Sequence, residues 1–525
     1  MMMTTETAAA AKADKQTPAA ENNKEIAALA VAAFVAGLCS IVYELLIATT
    51  VSYFLGDSVK YFSVTIGLYL AATGLGSYLS KFITGNIPGR FVKVELALAL
   101  AGGFSIPALY LSYGLGELFF SVYILFTLGV GFLIGLEIPF LTRMMERRCQ
   151  LRVNIANILS LDYFGALIAT MAFPFVLMPF LGLYQSSLVF GLVNMSIGFL
   201  MLHFFRREIG REFAALRFLT FLLTALLALG LVLSATALKH WDQSLYEDRI
   251  VHSGHSPYQK IVLTKYRSDL RLYLDGNLQF SATDEHRYHE ALVHLPLALG
   301  SIEPKRVLLL GAGDGLAARE LLKYPELEEI VLVDLDPAII ALAKDNPHLL
   351  ALNQDSLASG KVKVIIGDAF GFLEKNEKPF DFIIADLPDP NNNSLARLYS
   401  KQFYQLVRRN LSAGGIMVTQ ATSPYFARKA FWCIAETVKA AGFSRVTPYH
   451  VNVPSFGEWG FIMAGFSAPR LEAPGLKAET RYLDRGAIEQ ALSFPKDTGP
   501  VAVEINTLDR PALLDYYLRG WEYYH

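Results

Sequence analysis

The sequence predicts two structural classes in one chain, a multi-pass α-helical membrane bundle followed by a doubly wound, Rossmann-like α/β domain with a small N-terminal β region. Hydrophobic residues make up 53% of the 525 residues and charged residues only 18%, and the mean hydropathy is +0.35. The apolar excess lies between residues 24 and 239, whereas the later part alternates short β-branched runs with helical stretches. Apolar strands that alternate with helices are typical of a parallel sheet covered on both faces.

Seven apolar runs in the first half each have about the length that a helix needs to cross a bilayer, which is roughly 20 residues. Gly74, Gly131 and Gly135 are among the glycines that recur inside the runs, as expected where membrane helices pack closely. Seven soluble core helices in succession, almost without a polar face, are the less favoured alternative. The runs are residues 27–50, 60–82, 92–112, 118–142, 156–180, 184–205 and 216–238.

The chain is predicted to divide into five parts. Residues 1–24 have the small polar composition of a disordered tail, and the first apolar run is too long for a signal peptide. The transmembrane bundle is predicted at 25–240, a small β-hairpin region at 241–300 and the Rossmann-like domain at 301–470. Residues 471–525 are predicted to form a partly helical extension without recognisable chemistry.

Basic residues follow the second, fourth and sixth predicted spans, whereas the other connections contain almost none. Because basic loops stay in the cytoplasm, the N-terminus is predicted to be cytoplasmic and the protein to lie in the cell (inner) membrane. Seven spans then place the α/β domain outside, and an eighth span or a re-entrant segment would reverse this. The basic residues are Lys81, Arg90 and Lys93, then Arg143, Arg147, Arg148 and Arg152, and finally Arg206, Arg207, Arg211 and Arg217.

Composition also excludes several function classes. A net charge of −2 leaves no general basic field for nucleic acid. The three cysteines, Cys39, Cys149 and Cys433, have no metal-ligand spacing, so neither a metal site nor a disulfide framework is predicted.

The expected strands are 306–310, 330–333, 362–366, 380–385 and 416–419, with helices at 316–323 and 426–441 and a hairpin formed by 258–265 and 269–274.

Three strand ends predict a nucleoside site. The first strand runs into Gly311, Gly313 and Asp314, where glycines allow close backbone approach to a ligand. The second ends about 20 residues later at Asp334, where a carboxylate can bind both ribose hydroxyls, and the third ends at Asp368. The GxGxG spacing departs from the GxGxxG of dinucleotide sites, which favours an adenosyl sulfonium compound on a methyltransferase-type fold over NAD.

The fourth strand delivers Asp386 and Asp389 to the same edge of the sheet. Five carboxylates at strand ends would repel the carboxylate of intact S-adenosylmethionine and attract a decarboxylated, polycationic ligand. Clustered acids also raise one another's pKa, so one of them can act as a base near neutral pH. The alternative is that these two acids only form a turn before the asparagines at 391–393 and have no catalytic or binding role.

These segments resemble the spermidine synthases, the polyamine aminopropyltransferases. The similarity covers residues 245–466 and rests on the order and separation of several motifs; the whole chain resembles the membrane-embedded bacterial homologues. The motifs are Tyr258-Gln259, LDGNLQ (274–279), DEHRYHEALVHLP (284–296), VLLLGAGDG (307–315), GDA (367–369), DLPDP (386–390) and the strand end at Gln420.

The resemblance implies aminopropyl transfer from decarboxylated S-adenosylmethionine to a polyamine, most simply putrescine to spermidine, with no prosthetic group or metal. Asp386 would be the general base. The nucleoside portion would be held by Gln259, Asp334, Asp368 and Ala369 beside the Gly311 and Gly313 turn. Amine nitrogens would be bound by His289, Asp314 and Asp389, with Gln279 and Gln420 lining the crevice. The resemblance also suggests a homodimer.

Two departures and two alternatives remain open. Residues 453–459 (VPSFGEW) replace a Tyr-Pro-Ser-Gly stretch that helps form the family's acceptor pocket, and Asn393 replaces a proline. A methyltransferase that uses S-adenosylmethionine is the nearest alternative function. A polyamine transporter or sensor is the other, suggested by four acids at apparent membrane depth, where ionisable groups are costly and often functional. These acids are Glu44, Glu95, Glu137 and Asp162.

Overall fold

The computed structural model describes residues 6–55, 58–146, 148, 151–300, 302–469 and 475–522. The chain forms two compact units, Met1–Leu245 and Tyr246–His525. The boundary follows the end of a long helix at Ser244 and lies five residues beyond the predicted division between residues 240 and 241.

The first unit is built from helices, with no strand among its described residues. Seven of its helical segments are long and apolar enough to cross a membrane, and each of the seven predicted runs lies within one of them to within one residue. Phe173–Leu177 forms a π-helical turn between α5 and α6. The helices are α1 (Glu6–Leu55), α2 (Ser58–Leu79), α3 (Ile87–Tyr113), α4 (Glu117–Glu146), α5 (Leu151–Ala172), α6 (Met178–Phe180), α7 (Gly182–Phe204), α8 (Arg206–Ile209) and α9 (Phe213–Ser244).

Helix α1 begins within the segment that was predicted to be disordered. Residues 6–24 are helical in the structure, and residues 1–5 lie outside the described residues. The segment is rich in alanine, lysine and glutamate, which have the highest helix propensities. The structure thus gives residues 6–24 a helical backbone where the sequence predicted a disordered tail.

Helices α2 and α4 pack with their backbones almost in contact. A Cβ atom on Gly135 would lie 2.2 Å from the Thr73 carbonyl oxygen, so only glycine fits there. Pro139 lies inside α4 and has no N–H for the Gly135 carbonyl one turn earlier. The Ser77 hydroxyl donates to that carbonyl at 2.8 Å, so a side chain of α2 replaces the missing bond of α4.

The second unit begins with a four-stranded antiparallel sheet in the order β1-β2-β3-β4. The sequence predicted only a hairpin here, which corresponds to β2 and β3. The edge strand β1 alternates between exposed and half-buried residues, and β4 is only five residues long, so neither carries a strong apolar signal. The strands are β1 (Arg249–His255), β2 (Lys260–Tyr266), β3 (Asp269–Leu274) and β4 (Asn277–Ser281).

A seven-stranded sheet forms the centre of the second unit, in the order β10-β11-β9-β8-β5-β6-β7. Strands β5 to β9 are parallel neighbours, as predicted, and β11 runs antiparallel to β9 and β10. Thus β5 and β8 are adjacent central strands. The strands are β5 (Arg306–Gly311), β6 (Glu329–Asp334), β7 (Val362–Ile366), β8 (Phe380–Asp386), β9 (Leu411–Gln420), β10 (Arg445–Val453) and β11 (Gly457–Gly465).

Helices cover both faces of this sheet and bury two separate apolar clusters. Leu309 and Leu332 point into one cluster, whereas their neighbours Leu310 and Val333 point into the other, as the alternation of side chains along a strand requires. The helices are α10 (Glu285–Gly300), α11 (Leu316–Leu321), α12 (Pro337–Asp345), α13 (Pro347–Asn353), α14 (Ala369–Lys375), α15 (Asn393–Ala396), α16 (Lys401–Arg409), α17 (Arg428–Ala440), α18 (Arg485–Ala491) and α19 (Ala512–Trp521).

Candidate active site

The turn after β5 brings the backbones of two central strands together. Gly311 has φ +81°, and a Cβ atom there would lie 2.1 Å from the Asp386 carbonyl oxygen. Ala312 also has a positive φ of 61°, an uncommon conformation for a residue other than glycine. The close approach of this turn to the end of β8 therefore depends on glycine at position 311.

Replacing Gly311 with alanine is expected to destabilise the protein and reduce its activity by at least tenfold. Backbone strain alone costs about 1–3 kcal/mol, and the new methyl group would push the Asp386 segment away. Urea unfolding and an activity assay would measure both effects. Gly360→Ala is the control, because a Cβ atom on Gly360 would have nothing within 4 Å and its φ is not positive; equal behaviour of the two variants would contradict the prediction.

Asp334 lies at the carboxyl end of β6, directly against the same turn. A Cβ atom on Gly313 would lie 2.5 Å from Asp334 Oδ2, so the second glycine makes room for this carboxylate. Burial is the main cause that raises the pKa of Asp334 to about 6, with the charges of Asp336 and Asp314 adding to it. The predicted pairing of Gly313 and Asp334 in one place is therefore observed.

Asp336 is a site residue that the sequence analysis missed. Its Oδ2 accepts hydrogen bonds from Gln259 Nε2 at 2.9 Å and Ser256 Oγ at 2.7 Å, and its N–H donates to Asp334 Oδ1 at 2.9 Å. Its Oδ1 caps α12 by accepting from the Ala338 N–H. Gln259 is thus connected to the end of β6 through Asp336. An aspartate before Pro337 was the sequence signal, typical of a helix start, that could have identified Asp336.

Asp386 ends β8 beside Tyr288 of α10. The Tyr288 hydroxyl donates to Asp386 Oδ1 at 2.5 Å. Burial raises the pKa of Asp386 to about 6, although the nearby His289 and the Tyr288 hydrogen bond act in the opposite direction and Asp314 adds to the rise. A carboxyl group with this pKa is mostly ionised at neutral pH yet basic enough to accept a proton.

Asp389 is held by side chains from distant parts of the chain. Gln420 Nε2 donates to its Oδ1 at 3.1 Å and Thr422 Oγ1 to its Oδ2 at 3.3 Å, and Tyr517 of α19 also hydrogen-bonds to it. Burial raises the pKa of Asp389 to about 6 despite these donors. The extension that was predicted to lack chemistry therefore contributes a side chain to the site.

Gln420 organises the loop that carries Asp389. Its Nε2 donates to the Leu387 carbonyl at 2.7 Å, in addition to Asp389. Its Oε1 accepts the Thr422 N–H at 2.9 Å, which stabilises Thr422 at a strained φ of +55°. Because its amide is fully engaged in these bonds, Gln420 acts on the crevice chiefly by positioning Asp389 and Thr422.

His289 belongs to a buried charged network. Its Nδ1 lies 2.8 Å from Glu285 Oε2, and the same carboxylate receives two hydrogen bonds from Arg319, at 3.0 and 2.9 Å. Although burial opposes its charge, the bond to Glu285 and the charges of Glu285, Asp314 and Asp386 raise the pKa of His289 to about 9. The ring is therefore a cation at neutral pH, which suits contact with carboxylates better than contact with an ammonium group.

Asp314 completes the acidic group at the strand ends. Its Oδ1 accepts the Leu316 N–H at 2.9 Å at the start of α11. Burial raises its pKa, and the His289 cation partly offsets this. Four of the five predicted acids, Asp314, Asp334, Asp386 and Asp389, thus share one edge of the sheet, and each has a raised pKa because of burial.

Two predicted residues have other partners in the structure. Asp368 caps α14 by accepting the Gly371 N–H at 3.0 Å, and its Oδ1 accepts from Arg397 at 2.6 Å, while Ala369 is buried at the first position of that helix. Gln279 donates to the Asn277 carbonyl at 3.1 Å on β4. Their roles toward the nucleoside and the crevice stay predictions.

A glycine turn beside a group of buried acids, at the carboxyl edge of a doubly wound sheet, is the arrangement expected of a transferase with a nucleoside co-substrate. Residues 285–471 match the family model of the spermine/spermidine synthase domain. The chain belongs to the polyamine aminopropyltransferase family and is an enzyme of that kind, since relatives at 40% identity or more align with nearly all of it. The family's co-substrate is decarboxylated S-adenosylmethionine.

The relatives share both units of the chain. Polyamine aminopropyltransferase of Leptospira interrogans is 41% identical over 94% of this chain and 98% of its own. Polyamine aminopropyltransferase 2 of Ralstonia nicotianae is 43% identical over 95% and 99%. A crystal structure of spermidine synthase in complex with the transition-state analogue AdoDATO matches 47% of this chain and 86% of its own, at 24% identity and a TM-score of 0.43.

Proposed function

We propose that the acceptor is putrescine and that Asp386 is the general base. The observation that carries this proposal is the burial of both Asp386 and Asp389, three positions apart in the sequence, each with a pKa of about 6. Two buried carboxylates suit a diamine, because one can bind an ammonium group while the other takes a proton from the attacking amine.

The proposed reaction joins the acceptor nitrogen to the propyl carbon as the bond between that carbon and the sulfonium sulfur breaks. Methylthioadenosine leaves as a neutral thioether, and the proton lost by the amine goes to Asp386. Asp334 and the Gln259–Asp336 pair would bind the nucleoside, and Asp389 would bind the distal ammonium group. Alignment of nitrogen, carbon and sulfur then supplies much of the rate enhancement.

Incubating the full-length protein with the donor and single diamines tests the acceptor. We expect methylthioadenosine and spermidine in equal amounts with putrescine, and lower kcat/KM with longer diamines. Methyl transfer was the nearest alternative, and S-adenosylhomocysteine formed from intact S-adenosylmethionine would support it. A diamine other than putrescine with the highest kcat/KM would overturn the acceptor assignment.

Phe456 is proposed to limit the length of the acceptor. It occupies the segment in which the family's tyrosine is missing, and its ring lies edge-on to Tyr288, with 6.1 Å between centroids, while Tyr288 bonds to Asp386. We expect Phe456→Ala to raise the kcat/KM of cadaverine relative to putrescine about tenfold, since one methylene is worth roughly 10- to 200-fold. An unchanged ratio would place the acceptor elsewhere.

The activity is expected to fall as the pH drops below about 6. A general base must be unprotonated, and the pKa of Asp386 is raised to about 6, as is that of Asp389, which binds the ammonium group. Each further pH unit on the acid side should therefore lower kcat/KM at least tenfold. A series of kcat/KM measurements at different pH values, with saturating donor and limiting putrescine, measures this fall in activity. A profile that is flat from pH 7 to pH 4.5 would contradict the assignment of Asp386.

We also propose that the first unit spans the cell membrane. Its seven long apolar helices and the highly exposed Phe180, Val232 and Leu111 on their outer surfaces support this, because apolar patches of that size are unfavourable in water. Membrane fractionation should recover the protein in the pellet and release it only with detergent; release by carbonate washing would argue against the proposal.

A separate experiment determines on which side of the membrane the second unit lies. A cytoplasmic N-terminus and seven spans predict that residues 246–525 lie outside, whereas a donor made from cytoplasmic S-adenosylmethionine requires an inner site. Trypsin added to intact spheroplasts should remove the second unit in the first case and leave it whole in the second.

The homodimer predicted from the resemblance can be tested on the purified full-length protein by light scattering.

A further inference from the structure

A pair of carboxyl groups lies in the interior of the helical unit. Glu95 of α3 and Glu137 of α4 are 0% and 2% exposed, and their side chains hydrogen-bond to each other. A hydrogen bond between two carboxyl groups requires at least one proton, so the pair carries at most one negative charge. Among the four acids that the sequence singled out at membrane depth, these two are in contact.

The polar groups around this pair have an excess of acceptors. Asn194 of α7 uses its amide nitrogen to donate to Glu95 Oε2 at 2.9 Å and to the Glu95 carbonyl at 3.0 Å. Four buried oxygens receive no hydrogen bond from a protein N–H or hydroxyl donor: Glu95 Oε1, Glu137 Oε1, Asn194 Oδ1 and the Tyr43 hydroxyl. Buried polar groups normally have partners, and the proton shared by the two carboxyl groups does not reach Asn194 Oδ1 or the Tyr43 hydroxyl, so the cluster has fewer donors than acceptors.

Tyr43 lies near the pair and packs closely against α3. A Cβ atom on Gly102 of α3 would lie 2.4 Å from the Tyr43 ring, and Gly102 is two helical turns beyond Glu95 on the same face of α3. Tyr43 is fully buried, and both carboxyl groups are close enough to interact with it electrostatically. The glycine therefore makes room for the ring that carries one of the unpartnered oxygens.

We propose that Glu95, Glu137, Asn194 and Tyr43 form a binding site for a primary ammonium group. Such a group supplies three N–H donors and one positive charge, which suits the acceptors that lack a donor and the one negative charge that the carboxyl pair can carry. A structural carboxyl pair would instead find its donors within the bundle. This site is separate from the catalytic acids and does not depend on the roles proposed for Asp386 or Asp389.

Entry to the site requires a local opening of the bundle, because all four side chains are buried. Helix α4 offers a place for it: Pro139 follows Glu137 by two residues, and the Gly135 carbonyl is bonded by Ser77 of α2 instead of by α4 itself. Helices commonly kink at prolines. An ammonium group could therefore be exchanged by movement of α4 at this point.

Equilibrium binding of [14C]putrescine to the full-length protein in lipid nanodiscs, without donor, tests the proposal. We expect the wild type to bind two equivalents of putrescine per chain. Asp389→Asn and Glu95→Gln should each bind one equivalent, and the double variant should bind none. Glu95→Gln should retain the wild-type rate of aminopropyl transfer, which also shows that it is folded. Glu44→Gln, which alters another acid of a spanning helix, is the control and should bind two equivalents.

A single wild-type equivalent that is lost in Asp389→Asn and kept in Glu95→Gln would overturn the proposal. If sodium chloride displaces the second equivalent of putrescine and other amines do not, the site binds a metal cation, and the proposal is also overturned. Labelling of the wild type by dicyclohexylcarbodiimide provides a test without variants. Putrescine should reduce labelling of Glu95 and Glu137 at least fivefold and leave Glu44 unchanged, whereas equal labelling with and without putrescine would refute the site.

Discussion

Replacing Asp386 with asparagine is expected to lower the kcat of aminopropyl transfer by about 100- to 10,000-fold, the range typical of a lost general base. Asparagine keeps the size of the side chain and can still contact the Tyr288 hydroxyl, so the change removes basicity with little effect on packing. The initial rate of methylthioadenosine release at saturating donor and putrescine measures kcat directly.

Two further variants separate the base from its surroundings. Asp389→Asn should act mainly on the KM for putrescine, because Asp389 is proposed to bind the distal ammonium group. Tyr288→Phe removes the hydroxyl that donates to Asp386 and should have a smaller effect on kcat than Asp386→Asn. If Asp386→Asn retains more than a tenth of the wild-type kcat, another group accepts the proton.

Glu285→Gln is expected to lower the free energy of unfolding by about 3–5 kcal/mol, the usual effect of breaking a buried ion pair. The Glu285 side chain is 1% exposed and contacts His289 and Arg319, which are 3% and 9% exposed. Its loss leaves the buried His289 without its paired carboxylate, whereas Arg319 keeps only Glu320. Urea unfolding followed by circular dichroism gives the change in stability.

Glu328→Gln is the matched control for stability. It breaks the pair with Lys305, in which both side chains are more than 60% exposed, and such pairs contribute about 1 kcal/mol or less. In Glu285→Gln the pKa of His289 should also fall from about 9 toward the ordinary histidine value of about 6.5, which NMR titration of the ring would show. Wild-type stability together with an unchanged His289 pKa would refute the buried ion-pair interpretation.

Much of the catalytic fold could be predicted because the central strands are almost continuously apolar. The runs that end at Gly311, Asp334 and Asp386 were assigned correctly, and parallel strands bring their carboxyl ends to one edge. The seven apolar helices were likewise assigned from length and composition. These features depend on local sequence, which a single chain displays directly.

The partners of the site residues could not be predicted in the same way. Asp368 follows its strand as expected, but Arg397 reaches it from a helical segment that hydrophobic periodicity does not position. Tyr517 lies in a separate helix, and nothing in its local sequence connects it with Asp389. Asp336 was the exception, since an acid before a proline at a helix start carries a recognisable signal.

The hydrogen bonds of Asp389 have a consequence for the growing chain. Its carboxylate depends on Gln420, on Thr422 and finally on Tyr517 of α19, which is made long after β8. A ribosome-bound chain that has been released as far as β9 contains all the residues of the proposed nucleoside end of the site, but not all those of the proposed acceptor end. Catalytic competence should therefore appear late in synthesis, after the α/β sheet has folded, so that a partly translated chain could bind donor before it can transfer the aminopropyl group.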